Sequence, residues 1–302
     1  MSRFSLIYIC IFSLLISIFS FLNIIYSSYF NLYLNIDSYV YSLIISLIFG
    51  LFFLIKKKKE EKKVSIYEKI ITVILGYLIL PLFISVPYYL SIYNITLIDA
   101  YFEAVSGFTS TGFSIFENIK HLDESLILWR SSSQWIGGLY FLFSIILLID
   151  IFDINLKKTF TNYLSFSTSE TFKQSIKIMI LYTILTFIIF LILNLTNIRA
   201  FNSFNLSMTI ISSGGFLPTN NLENIINTKT KDIIFSLMML TSFFSLFLTY
   251  NLVTLKRKND NFFREDTYLL IYFLFLIVLF FILFNSSHNF GDIFLSLASS
   301  VS

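Results

Sequence analysis

The chain has 302 residues, of which 56% are hydrophobic, 19% aromatic and only 13% charged, against roughly 25% charged in ordinary globular proteins. Such a chain cannot cover a water-facing surface with polar groups, so a soluble domain and a disordered segment are excluded. A formal charge of +3 is too small for a nucleic-acid binder. The lone Cys10 excludes an intrachain disulfide.

A bilayer-spanning helix needs roughly 20 mostly apolar residues. Seven runs qualify, near 4–25, 38–55, 69–92, 133–152, 174–196, 232–255 and 267–285. The first lacks a small-residue cleavage site and reads as a retained helix rather than a removed signal peptide. Pro81 and Pro87 predict kinks in the third run.

Lys and Arg set the orientation. With the N-terminus inside, the cytoplasmic side collects Arg3, the block 56–63, Lys69, Lys157, Lys158, Lys173, Lys177, Lys256, Arg257, Lys258 and Arg264. The outer side receives Lys120, Arg130, Arg199, Lys229 and Lys231. The block 56–63 reads as a stop-transfer loop, with binding of anionic lipid as the alternative.

Three segments between the helix pairs resemble one another. The first runs from Asp99 through Glu103 and Gly107 to Thr109, Ser110, Thr111, Gly112 and Phe113. Adding 103 to each number gives Asn202 and then Ser212, Ser213, Gly214, Gly215 and Phe216; adding 193 gives Asp292 and then Ser302. Each apolar stretch is about half a membrane-spanning length and reads as a re-entrant half-helix followed by irregular backbone. Thr96-x-x-Asp99 and Asn289-x-x-Asp292 read as helix caps, whereas the second copy has Arg199 in that place.

Helix, half-helix, polar loop, helix is therefore a repeating unit. The predicted layout is a two-helix leader and basic loop (1–63), a first unit (64–158), a second (159–258) and a third (259–302) cut inside its loop. The fold class is an all-α polytopic membrane protein with about seven transmembrane helices and three half-helices.

A half-helix ending at membrane depth turns the negative end of its dipole toward a cavity. The loop after it is rich in Ser, Thr and Gly, and glycine lets carbonyl oxygens turn inward to replace a cation's hydration shell. Four of the nine glycines (Gly107, Gly112, Gly214, Gly215) lie in the first two such segments.

These residues resemble the Trk/Ktr/HKT potassium transporter superfamily, and its TrkH-like membrane subunits most closely. The stretch 102–112 resembles a pore helix and first filter. The stretch 129–138, from Trp129-Arg130 to Gly137-Gly138, is similar to the start of the following helix, and 212–216 is similar to a second filter. Arg264-Glu265-Asp266 resembles the entry to the third unit. The resemblance implies four pore units around one path, with Thr109, Ser110, Thr111, Gly112, Phe113, Ser212, Ser213, Gly214, Gly215, Phe216 and Ser302 as filter positions. Asp99 and Glu103 would support the first pore helix. It also implies inward potassium movement, a homodimer, a TrkA-like nucleotide-binding regulatory subunit in the cytoplasm and residence in the inner membrane. On this resemblance the sequence stops short of a third filter glycine and a fourth unit, so the remaining units would come from a continuation or a second chain.

Potassium would be held by backbone carbonyls; no cofactor, transition-metal site or nucleic-acid partner is expected. His121 and His288 are too far apart in sequence to form a site, and no nucleophile–base set has catalytic spacing. Glu103 either faces the cavity or, the favoured reading, buttresses the loop from behind. Arg130 is expected to snorkel to the interface. Asp150 and Asp153 read as a solvated helix end, with an inner cation vestibule as the alternative. Potassium and sodium preference is not readable from the residues. The competing functions are a secondary transporter for another solute and a non-conducting assembly partner or gene remnant.

Overall fold

The computed structural model describes residues 3–55, 66–148, 171–243, 271–272, 274–276, 278–279 and 290–301. Among them every regular element is helical. In chain order these are α1 (Arg3–Tyr29), α2 (Ile36–Ile55), α3 (Ile66–Tyr89), α4 (Leu97–Phe108), α5 (Glu124–Leu148), α6 (Thr171–Leu195), α7 (Ala200–Ile211), α8 (Lys229–Phe243) and α9 (Phe290–Val301). The described residues of 271–279 are helical too.

Four helices, within α1, α2, α3 and α6, are long and apolar enough to cross a membrane among the described residues. The second half of the predicted sixth span and most of the seventh fall outside those residues, as do the block 56–63, Asp150, Asp153, His288 and Ser302. Large apolar side chains such as Ile48, Ile74, Ile180 and Phe187 are exposed along these helices. That is the outward surface expected of helices whose solvent is lipid.

The helix that carries the fourth predicted span begins ahead of the apolar run. The run starts at 133, whereas α5 starts at Glu124. Its first turns carry Arg130, Ser131, Ser132, Ser133 and Gln134, all buried. Hydropathy leaves Arg130 to Ser132 outside the apolar run; the fold buries all five against protein.

α4, α7 and α9 are 12 residues each, and they begin and end 103 and 193 positions apart. At 1.5 Å per residue each is about 18 Å long, short of the ~30 Å hydrocarbon core. Two non-glycine residues with positive φ precede and follow α4, Asn94 at 51° and Ser110 at 57°. Their counterparts 103 positions on, Asn197 and Ser213, have φ of 60° and 53°. The repeat thus extends to backbone conformations that L-residues rarely adopt. α7 packs on α5, and α9 packs on α8, so each later half-helix leans on the long helix of the preceding unit.

Serines line the faces by which α1 and α2 meet each other and α3. Ser13, Ser17, Ser20 and Ser27 are buried on α1, and Ser38, Ser42 and Ser46 on α2. Ser20 Oγ donates to Ser42 Oγ at 3.1 Å, and Ser42 Oγ donates to the Phe83 carbonyl at 3.1 Å. That carbonyl lies four residues before Pro87, which has no N–H to offer it. A hydroxyl from α2 therefore satisfies the helix bond that proline removes, and α3 runs through both Pro81 and Pro87.

The leader also pins the start of α5. Asn23 Nδ2 donates to the Ser125 carbonyl at 3.0 Å, and Tyr26 OH donates to Glu124 at 2.9 Å. Asn35 Nδ2 donates to Asp123 at 3.3 Å, and Tyr39 OH pairs with Ser125 Oγ at 2.9 Å. Trp129 Nε1 donates to the Ile84 carbonyl at 3.0 Å, fixing α5 against α3.

Candidate cation path

The two half-helix ends are built alike. After α4 the Ser110 N–H donates to the Gly107 carbonyl and the Thr111 N–H to the Ser106 carbonyl, both at 3.0 Å. After α7 the Ser213 N–H donates to the Ile210 carbonyl at 3.0 Å and the Gly214 N–H to the Thr209 carbonyl at 2.7 Å. Each is a Schellman closure with a left-handed residue just past the cap. Serine takes the place usually held by glycine, at a conformational cost of roughly 1–2 kcal/mol. At the other end of α4, Thr96 Oγ1 accepts from the Asp99 N–H at 3.2 Å and donates to the Asp99 carboxylate at 2.6 Å. Arg199 gives α7 no side-chain cap; it pairs with Glu124 at 2.8 Å.

Beyond these closures the backbone is irregular and the two loops meet. Gly112 has φ +81°, and a Cβ there would stand 2.7 Å from the Gly215 Cα. No other residue type fits both that angle and that approach. Thr109, Thr111, Phe113, Ser213 and Gly215 are exposed, Ser110, Gly112 and Gly214 half-buried, and Ser212 and Phe216 buried. Thr109 and Thr111 hydroxyls pair at 2.7 Å, and Ser106 Oγ donates to the Phe113 carbonyl at 2.5 Å. Farther out, Asn220 Oδ1 accepts from the Ile119 and Lys120 N–H groups at 2.7 and 3.3 Å. Asn220 Nδ2 donates to Asn118 at 2.7 Å, so the outer loops of the two units are latched together.

Glu103 is fully buried on α4. One oxygen accepts from Arg130 Nε at 2.8 Å and from Ser114 Oγ at 3.1 Å, and the other from the Ile115 N–H at 2.9 Å. Arg130 Nη2 donates to Ser114 Oγ at 2.8 Å. The snorkelling expected of Arg130 is not what the structure has. Its side chain is 1% exposed and turned inward to the carboxylate, because a buried guanidinium needs a counter-charge and Glu103 supplies it. The guanidinium also lies 4.2 Å over the Phe216 ring.

The rest of this α5 face has no separate role in the sequence reading. Arg130, Ser133, Gln134, Gly137 and Gly138 follow i, i+3, i+4, i+7, i+8 spacing, one side of a helix. A Cβ on Gly137 would overlap the Phe108 carbonyl at the end of α4, and one on Gly138 would stand 2.8 Å from Ser212 Cβ at the end of α7. Gln134 Oε1 accepts from the Phe216 N–H at 3.3 Å. That spacing was readable in the sequence; what the face touches was not. Among the described residues no cluster of His, Cys, Asp or Glu could hold a metal ion.

No protein-family model matches the chain. It is 30% identical over 239 residues to an uncharacterized cation transporter of Methanocaldococcus jannaschii, covering 76% of this chain and 49% of that protein. It is 23% identical over 195 residues to the Trk system potassium uptake protein TrkH of Escherichia coli, covering 61% of this chain and 40% of that one. The chain thus spans about half or less of the length of these relatives. The crystal structure of the potassium transporter TrkH from Vibrio parahaemolyticus superposes with a TM-score of 0.70 at 20% identity, over 99% of this chain and 64% of that one. In sequence and in fold, then, the chain is a TrkH-like membrane protein, related to the Trk potassium uptake proteins.

Proposed function

We propose that the chain is a membrane subunit of a Trk-type potassium uptake system, and that loops 109–113 and 212–216 line its cation path. One observation carries this reading: two half-helices of equal length end in the same serine-closed turn, and the glycines that follow, Gly112 and Gly215, lie backbone to backbone. Backbone at membrane depth that is neither helix nor sheet is buried in protein or lines a water-filled cavity, and the exposure of Thr109, Thr111, Ser213 and Gly215 favours the second. Carbonyl oxygens are the groups such a loop offers to a partly dehydrated cation.

In this reading Asp99 and Glu103 support the first half-helix, and Ser302 opens a third filter segment. Residues 1–63 are the leader, and 64–158, 159–258 and 259–302 belong to successive pore units. The relatives' greater length supports further units, on a continuation of the chain or on a second chain, that close the ring. The system works as a homodimer in the cell membrane, with its N-terminus and a TrkA-like regulatory subunit on the cytoplasmic side.

The test is growth of potassium-uptake-deficient bacteria at low potassium with the chain expressed in its native assembly. Restored growth that is lost on Gly112→Ser or Gly215→Ser supports the reading. A well-expressed, membrane-inserted assembly that restores nothing refutes it and leaves the non-conducting partner.

A further inference from the structure

We infer that Arg130 and Gln134 are positioning residues for the second loop: beyond the turn that closes α7, α5 of the first unit holds the end of loop 212–216 in place, and Glu103 fixes that hold. This rests on the cation-path reading of the two loops.

Phe216 directly follows Gly215 and is gripped twice from α5. Arg130 Cζ lies 4.2 Å over its ring, and Gln134 Oε1 takes its N–H at 3.3 Å. These two α5 residues are one turn apart, so they reach the same neighbour. The grip falls on Phe216 and not on its counterpart in the first loop, where Arg130 instead meets Ser114 at 2.8 Å and the Phe116 ring at 5.6 Å. Phe216 is 1% exposed, whereas Phe113, at the same place in the first loop, is 68% exposed. The register that pairs Asp99 with Asn202 pairs Glu103 with Leu206, also fully buried. The second half-helix therefore has no carboxylate where the first has one.

The polar accounting agrees. Arg130 spends Nε on Glu103 and Nη2 on Ser114. Arg130 Nη1 and Gln134 Nε2 are buried without a hydrogen-bond partner. A guanidinium so placed depends on Glu103 and on the ring face for its compensation. Moving it moves Phe216, hence Gly215, hence the contact with Gly112. The two loops are coupled through one side chain, and their spacing discriminates between cations of different size.

The test uses the native assembly in lipid vesicles, with Gln134→Met, Phe216→Leu and Arg130→Lys, none of which leaves Glu103 facing an empty pocket. Two quantities are read: deuterium uptake of peptides spanning 209–218 and, separately, potassium and sodium flux per folded protein. Positioning predicts that Gln134→Met and Phe216→Leu speed exchange of the amide at position 216 by about five-fold or more, with α1 and α2 peptides unchanged. It also predicts a several-fold fall in the potassium-to-sodium flux ratio, with Arg130→Lys intermediate in both. Unchanged exchange at 209–218, or a rise spread evenly over the chain with both fluxes falling in proportion, overturns the inference. If the unsubstituted assembly carries no cation, the cation-path reading fails, while the exchange measurement still decides whether α5 positions the loop.

Discussion

Gly137 is where the packing of α5 against the first half-helix is least forgiving. An added Cβ would overlap the Phe108 carbonyl oxygen, with the carbonyl carbon at 2.5 Å and the Phe108 Cα at 2.7 Å. All three are backbone atoms, so no rotamer change relieves the clash. Carbon atoms rest about 3.5–4.0 Å apart, so Gly137→Ala must part α5 from the end of α4 by ~1 Å. The α5 start is pinned by Asn23, Asn35 and Tyr39, so the yielding element is the half-helix end and the loop after it. Overpacking of this kind costs about 1–3 kcal/mol. The comparison variant is Gly50→Ala, whose Cβ has side-chain atoms of Leu14 and Ser13 as its nearest neighbours, and side chains can turn aside. Both variants are purified in detergent, melted, and assayed for cation flux in vesicles. Gly137→Ala is expected to lower potassium flux at least ten-fold (about 1.4 kcal/mol or more) with a modest drop in melting temperature. Gly50→Ala is expected to alter melting temperature alone. Wild-type flux and selectivity in Gly137→Ala would refute the claim that α5 sets the loop position.

Other consequences are local. Ser42→Ala strands the Phe83 carbonyl that Pro87 has already deprived of its N–H; the expected loss is about 1–3 kcal/mol, read as a lower melting temperature with unchanged ion selectivity. Asn220→Ala removes the acceptor for the Ile119 and Lys120 N–H groups and should speed deuterium exchange at those two amides while leaving 106–112 protected. Gly112→Ala combines a disfavoured φ of +81° with a Cβ 2.7 Å from Gly215; flux should fall sharply while the α1–α2 leader keeps its stability.

Much of this architecture was legible in the sequence for a physical reason. A half-helix that must cap, turn and stop at fixed depth uses the same residue classes each time, so Asp99, Thr109 and Gly112 reappear as Asn202, Ser212 and Gly215. Helices α4, α7 and α9 follow that register to the residue. Hydropathy alone missed the first turns of α5, because Arg130 to Ser132 look like a water-facing flank until the protein that buries them is known; the resemblance of 129–138 to a helix start came nearer. Arg130 misled for the same reason: its partner lies 27 residues away on another helix, and sequence shows charge without showing distance. The leader's pins on α5, from Asn23, Tyr26 and Tyr39, are side-chain contacts across about 100 residues of chain, beyond the reach of any periodicity.

The central claim is that cations pass between the Gly112 and Gly215 loops. Its most direct test is a structure of the native assembly crystallised in thallium or rubidium, with the anomalous signal mapped. The account predicts an anomalous peak within coordination distance of carbonyl oxygens in 109–113 and 212–216, weakened by Gly112→Ser. A peak elsewhere in the membrane region, with none at these loops, would contradict it.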